Sequence, residues 1–206
     1  EEVEHVDIDF PAIVKPKDEG SSRGIWQNSL VFNKDDLLSK VKECLNTYDP
    51  PAMITEYIEG REFTVGIIGN GTNISVLPIL EVDFSNLPKN LYKFYSFEVK
   101  VHYSEQTTYH VPAKLEKEIQ ERIEDVAVRA YKALDLKDYA RVDIRLKDDK
   151  IPYVLEVNSL PGLMRGHSDI TKMAEASGLG YKGLIMNIVD NAIRRYSLDR
   201  KLKFVR

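Results

Sequence analysis

Short runs rich in Ile, Val, Phe and Thr recur through the first half of the chain: Ala12–Lys17, Ile25–Phe32, Met53–Tyr57, Glu62–Ile68 and Ile74–Val82. Clusters of Gly, Pro and Asn separate them, so they read as β-strands bounded by turns. One helix fits among them: Leu37, Leu38, Val41 and Leu45 recur at helical spacing, and Asn33 is placed to cap it. Residues 84–110, rich in Tyr and Lys, show no regular period and read as a long irregular lid or binding loop. A second helix follows, with Leu115, Ile119, Ile123, Val126, Ala130 and Leu134 on one stripe. Two more strands, Tyr139–Leu146 and Tyr153–Asn158, flank the polar link Lys147–Pro152. A loop holding Leu160-Pro161-Gly162 then leads to a last helix at about Lys182–Arg195. The pattern is α+β, with helices covering antiparallel sheets.

Composition narrows the function classes. The 206 residues, 43% hydrophobic and 30% charged, suit a soluble globular chain with one core or two small lobes. A net charge of −4 argues against a nucleic-acid partner. Cys44 is the single cysteine, so no intrachain disulfide forms, and it reads as a small core residue of the first helix. No apolar run approaches the ~20 residues that span a bilayer, and the acidic residues 1–10 do not resemble a signal peptide. Both point to a cytoplasmic protein without a membrane partner.

The late hairpin carries the most chemistry. Side chains alternate along a strand, so Arg141, Asp143 and Arg145 share one face, and Glu156 and Asn158 share a face of the partner strand. Pairing symmetric about the Asp149–Lys150 link sets Asp143 opposite Glu156 and Arg141 opposite Asn158. The apolar neighbours of Glu156 read as core, where a carboxylate needs a cation to offset its desolvation. Oxygen ligands without His or Cys suit Mg²⁺ held with a nucleotide. A hairpin with one wet face, whose charges merely pair with each other, fits the same alternation. Upstream, Lys15 is followed by a loop, Glu19-Gly20-Ser21-Ser22-Arg23-Gly24, able to turn N–H and O–H donors toward phosphates, or else to be a plain surface turn. Between them a strand ending at Tyr57-Ile58 turns at Gly60 into a second strand begun by Glu62. Its backbone could read an adenine edge and its carboxylate a ribose; taken alone, this piece is better read as an ordinary hairpin with solvated glutamates.

Six ordered motifs then carry a resemblance: Val14-Lys15-Pro16 with Glu19-Gly20-Ser21-Ser22, Glu59-Gly60-Arg61-Glu62-Phe63-Thr64-Val65, Phe97-Glu98-Val99-Lys100, Ala140-Arg141-Val142-Asp143, Leu155-Glu156-Val157-Asn158, and Leu160-Pro161-Gly162 with His167-Ser168. In this order they resemble the ATP-grasp superfamily, and within it the D-alanine–D-alanine ligases. The resemblance implies two lobes around a nucleotide cleft, a small lobe at 11–80 with a phosphate-covering hairpin and a large lobe at 81–198 with a metal site and a mobile loop. It implies an ATP-dependent carboxylate–amine ligase of the D-alanyl-D-alanine type, working through an acyl phosphate in peptidoglycan biosynthesis. Lys15 and the loop with Glu19, Ser21 and Ser22 would meet the ATP phosphates. Tyr57 and Ile58 would flank adenine, Leu155 would pack on its other side, and Glu62 would hold the ribose. Lys100 would reach the terminal phosphates from the long loop. Asp143, Glu156 and Asn158 would hold Mg²⁺, usually two ions, with Mn²⁺ as a substitute. Arg141 and the backbone at Gly162 would stabilise charge at the acyl centre, and Ser168 would hold the carboxylate of the second amino acid.

This chain departs from the family pattern in places. Lys100-Val101 stands where ligases making D-alanyl-D-alanine commonly have Lys-Tyr, Thr55 replaces an acidic residue, and the loop 163–166 is one residue longer. Val101 and the 163–166 loop point toward a different amino-acid or peptide substrate pair. The family's N-terminal substrate domain, which carries much of its homodimer surface, is absent, so the chain alone is expected to be a weak or inactive nucleotide-binding fragment.

Overall fold

A computed structural model describes residues 7–49 and 51–198; residues 1–6 of the acidic opening stretch lie outside the described residues. Two compact units share the chain. One ends at Ile58 and resumes over Phe84–Thr108; the other takes Glu59–Asp83 and continues from Tyr109. The path thus changes unit after residues 58, 83 and 108; the family resemblance implied one boundary at 80/81.

In the first unit, β1 (Ala12–Pro16) lies between β2 (Leu30–Val31) and β3 (Ala52–Glu56), antiparallel to both. Alternation turns Ala12 and Val14 toward α1 (Lys34–Thr47), where they pack with Leu37, Val41 and Cys44. Asn33 caps α1, its side chain accepting from the Asp36 N–H at 2.9 Å, and Asp35 and Asp36 suit the positive end of the helix dipole. Burial pushes the Cys44 thiol up, in keeping with a packing role. The strand expected over Ile25–Phe32 shrinks to β2. Gln27–Ser29 forms a 3₁₀ turn instead, because the Ser29 hydroxyl accepts from the Trp26 N–H at 2.9 Å and donates to the Gly24 carbonyl.

Residues 84–110 are not structureless. They contain α2 (Phe97–His102), capped by Ser96, a 3₁₀ turn at Ser104–Gln106, and β7 (Thr108–His110). The first part is held to residues 25–27 of its own unit. The Phe97 N–H donates to the Ile25 carbonyl at 2.7 Å, Gln27 Nε2 donates to Ser96 Oγ at 3.0 Å, and the Trp26 and Phe97 rings lie 4.9 Å apart.

The second unit is built on β4 (Arg61–Asn70), which pairs along most of its length with β8 (Tyr139–Lys147). The sheet order is β7-β6-β4-β8-β9, with β9 (Ile151–Asn158) at one edge. The run Ile74–Val82 divides into β5 (Asn73–Val76) and β6 (Leu80–Asp83), which pair with different ends of β4. Pro78 has no N–H for a ladder, and the strand breaks there. Phe63, Val65 and Ile67 of β4 and Ala140, Val142, Ile144 and Leu146 of β8 form a core with Ile123, Ala127 and Tyr131 of α3 (Lys117–Ala133). Val126 and Ala130 flank that stripe, and Leu134, beyond the last helical turn, is 58% exposed. The opposite face holds Glu62, Thr64, Gly66, Arg141, Asp143 and Arg145. Here Gly66 gives room to α4 (Asp169–Ala176), an element absent from the sequence expectation: a Cβ on Gly66 would stand 3.1 Å from Met173 Sδ. The last helix, α5 (Gly180–Arg195), begins two residues before the expected Lys182 and buries Leu184.

Asp138, just ahead of β8, ties α5 to the end of β4. Its carboxylate accepts from Asn70 Nδ2 at 2.7 Å and from the Arg195 guanidinium. Burial alone would raise this carboxyl, but the bonds from Arg195 and Asn70 hold it below its ordinary value. A carboxylate depressed in the fold contributes stability above its unfolded pKa of about 3.9, and loses it as pH falls through the folded value. Asp138→Asn is therefore expected to lower the melting temperature at pH 7 by roughly 2–4 °C. The gap to the parent should shrink as the pH is taken to 3; a pH-independent gap would contradict the ionic role.

Candidate active site

The β8–β9 register sets Arg141 opposite Asn158 and Asp143 opposite Glu156. The anticipated pairs are therefore present, but not through the assumed symmetry. Lys147 pairs with Ile151, so the hairpin turns about Asp149, with Asp148 and Asp149 both left-handed at φ 52°. A bulge between Asp143 and Ile144 then leaves Leu155 unpaired on β9 and shifts the register by one residue. Bulge and turn compensate.

Asp143 is the hub of the resulting patch. Arg141 grips it with both arms, Nε to Oδ1 at 2.9 Å and Nη2 to Oδ2 at 2.8 Å. Thr64, directly opposite on β4, donates its buried hydroxyl to Oδ1 at 2.5 Å. Asn158 Nδ2 donates to Oδ2 at 3.0 Å, which leaves the amide oxygen of Asn158 for other partners. Arg141 Nη1 lies 3.8 Å from Asp169, which also binds Lys172 Nζ at 3.0 Å. Burial would pull the Arg141 guanidinium down, but Asp143, Asp169 and Glu156 raise it above its ordinary value, so it remains a cation. One step along β8, Arg145 donates Nε to Glu62 Oε2 at 3.1 Å and Nη1 to the Gly60 carbonyl at 2.9 Å. Burial pushes the Glu62 carboxyl up, and Arg145 opposes the shift.

Glu156 differs from expectation. Its strand is the sheet edge, not core: Tyr153, Val154 and Leu155 are 37%, 38% and 42% exposed, and Glu156 itself is exposed. Among the described residues no group of three or more His, Cys, Asp or Glu is arranged to hold a metal ion. The patch supplies two carboxylates, Asp143 and Glu156, and one amide oxygen, Asn158. That hard-oxygen set fits Mg²⁺, which commonly takes one or two carboxylates and completes its shell with phosphate and water. Each Asp143 oxygen already accepts two hydrogen bonds, so a cation there must displace a donor.

Beyond β9, Gly162 and Ser168 meet. A Cβ on Gly162 would stand 3.0 Å from Ser168 Oγ, so only glycine fits without displacing the serine. Ser168 Oγ accepts from the Met164 N–H at 3.0 Å, and its residue leads into α4.

The remaining candidates belong to the first unit. Lys15 is half-buried on β1, on the sheet face away from α1. In the loop after β1, Glu19 pairs with Arg23 at 3.3 Å, and Ser21 and Ser22 take left-handed φ of 57° and 62°. Consecutive left-handed serines are uncommon and store strain of a kind found at ligand-binding loops. Gly24, at φ 77°, closes the loop; a Cβ there would fall 2.4 Å from Pro16 Cγ. Ile58 is buried, while the Tyr57 N–H already donates to the Pro11 carbonyl at 2.8 Å and so is not free to read an adenine edge. Lys100 sits in the last turn of α2, not in a loop, with Nζ 5.8 Å from the centre of the Tyr95 ring.

Sequence reasoning passed over Thr64, the pairing role of Arg145, and Asp169 with Lys172. The signal for Thr64 was the strand alternation itself, which places it on the Glu62 face. For Asp169 it was the spacing of Ile170, Met173 and Ala174, a short helix following Ser168.

Comparison with known proteins bears on the family and the fold. The family model described as D-ala D-ala ligase C-terminus matches residues 1–190. A D-alanine–D-alanine ligase of Fervidobacterium nodosum is 38% identical over 189 residues, covering 91% of this chain and 55% of the relative. The Bacillus anthracis D-alanine–D-alanine ligase solved in complex with ATP superposes with a TM-score of 0.69 at 30% identity, covering 95% of this chain and 59% of that one. The VanG D-Ala:D-Ser ligase of Enterococcus faecalis gives 0.72 at 25% identity, over 92% and 51%. The chain thus spans about half the length of the curated relatives and solved structures it matches. Its sheets and helices have the ATP-grasp fold, and the chain belongs to the family of D-alanine–D-alanine ligase C-terminal domains.

Proposed function

We propose that this chain is the ATP-binding catalytic portion of an ATP-dependent carboxylate–amine ligase of the D-alanyl-D-alanine type. The observation that carries the reading is the patch itself: Arg141 locked on Asp143, with Glu156 and Asn158 opposite on the next strand. A carboxylate substrate attacks the γ-phosphorus of ATP and expels ADP; the amine of a second amino acid then attacks the carbonyl of the acyl phosphate, which expels inorganic phosphate, and the amine loses a proton. Lys15, Lys100 and the Glu19–Ser22 loop bind the phosphates, and Glu62 binds the ribose. Tyr57 and Ile58 would flank adenine, and Leu155, exposed on β9, would pack on the ring. Asp143, Glu156 and Asn158 would hold Mg²⁺, which supplies neutralisation of phosphoryl charge when bound. Arg141 and the Gly162 N–H stabilise the oxyanion at the acyl centre. Ser168 holds the acceptor carboxylate by donating its hydroxyl proton, while its oxygen accepts from the Met164 N–H. The protein works in the cytoplasm, in peptidoglycan precursor synthesis, as a homodimer when whole.

A second reading keeps the chemistry and changes the acceptor. Val101 beside Lys100 is 51% exposed, and the charged pair Asp169–Lys172 directly follows Ser168. These features suit an acceptor other than D-alanine. Phosphate release by the whole protein, followed with D-alanine and then with other amino acids and peptides, separates the two. The first reading expects ADP release that saturates with D-alanine. Turnover indifferent to D-alanine but raised by another amino acid supports the second, and no turnover with any of them counts against both.

A further inference from the structure

Arg145 is 2% exposed, yet neither the metal patch nor the acyl chemistry uses it. It stands directly opposite Glu62 across the β4–β8 ladder. Its Nε and Nη2 both converge on a single oxygen, Glu62 Oε2, at 3.1 and 2.9 Å. Its third nitrogen, Nη1, holds the Gly60 carbonyl at 2.9 Å. Gly60 is the turn that leads into β4; at φ 148°, a Cβ there would lie 2.0 Å from the Leu146 carbonyl oxygen. One guanidinium therefore fixes both the carboxylate and the backbone turn beside it. A planar fork does this with little loss of side-chain freedom per bond, which a lysine cannot reproduce.

We propose that Arg145 is a positioning residue for nucleotide specificity: by holding Glu62 through Oε2 and Gly60 through its carbonyl, it presents Glu62 Oε1 in a fixed place to accept a ribose hydroxyl. The proposal rests on Glu62 meeting the ribose, as in the proposed function. It makes ribose recognition depend on a residue that touches no part of ATP.

The test is equilibrium titration of the whole protein with Mg²⁺-ATP, Mg²⁺-2′,3′-dideoxy-ATP and inorganic tripolyphosphate. The parent should bind ATP at least tenfold more tightly than the dideoxy nucleotide. In Arg145→Met that ratio should fall below about threefold through weaker ATP binding, with tripolyphosphate affinity unchanged; Arg145→Lys should recover only part of it. Removing one partner of a buried pair endangers folding, so the double variant Glu62→Gln with Arg145→Met, which leaves no unpaired buried charge, is measured alongside. It too should lose the ribose preference and keep the tripolyphosphate affinity. A parent-like ratio in Arg145→Met overturns the proposal while leaving the nucleotide site standing; a parent-like ratio in the double variant overturns it by taking Glu62 off the ribose. An equal loss of tripolyphosphate binding also overturns it, by showing a merely structural role. If the parent binds neither nucleotide, the proposed function falls with it.

Discussion

Asp143→Asn is expected to lower Mg²⁺-dependent ATP turnover of the whole protein by about 10²–10³-fold, the loss typical of removing one preorganised electrostatic contact at a transferring group. The substitution keeps the shape of the side chain and removes its charge. It also sets an amide N–H₂ against donors, because Asp143 accepts from Arg141 twice, from Thr64 and from Asn158. Arg141 would lose its bidentate partner and keep only the more distant Asp169, 3.8 Å away. Cation binding and guanidinium placement thus fail together. Glu156→Gln differs: Glu156 is exposed and holds no part of the Arg141–Asp143 pair, so turnover should also collapse, but recover in part at raised Mg²⁺. ADP release measured against Mg²⁺ concentration separates the two variants. Near-parental rates for Asp143→Asn would sink the assignment of the patch.

Phe63→Ala is expected to destabilise the fold by about 3–5 kcal/mol, the usual cost of emptying a buried aromatic site. Phe63 is fully buried in β4 opposite Ile144, in the core beneath α3, and the Arg61 guanidinium lies 5.0 Å above its ring. The loss combines transfer of the ring to water with the cavity left behind, because a sheet pinned on both sides of β4 cannot collapse to fill it. Urea unfolding should show a lower midpoint with an unchanged slope. A loss below about 1 kcal/mol would mean that the core is organised differently from this description.

Phe63 and its neighbours also show what a local pattern can carry. Glu62 and Thr64 face one way and Phe63 and Val65 the other, so the same alternation that fills the core delivers the polar groups to the site. For that reason β1, β3, β4, β8, β9, α1 and α3 were legible in the sequence, as were the pairs Arg141–Asn158 and Asp143–Glu156. What failed were readings decided by a particular hydrogen bond or by a neighbour distant in sequence, neither of which a residue period shows. Ile25–Phe32 has strand-like composition, but the Ser29 hydroxyl turns it into a 3₁₀ segment. Residues 84–110 lack a period of their own; Ser96 and Phe97 are held by Ile25, Trp26 and Gln27, and β7 joins the sheet beside β6. The run 154–157, Val-Leu-Glu-Val, is apolar enough for core, yet its strand closes the sheet edge.

The sequence by itself determined the α+β class, the ordered motifs of the family, and which strand faces are polar, because side-chain direction follows from a two-residue period. Only the tertiary structure decided that the turn at Asp149 and the bulge at Leu155 cancel, and that Asp143 gathers Thr64, Arg141 and Asn158. It alone joined Arg145 to Glu62 and Gly60. Thr64 with Asp143, and Arg145 with Glu62 and Gly60, join strands far apart in the chain, and no local period encodes which strand comes to lie beside which or where a ladder bulges.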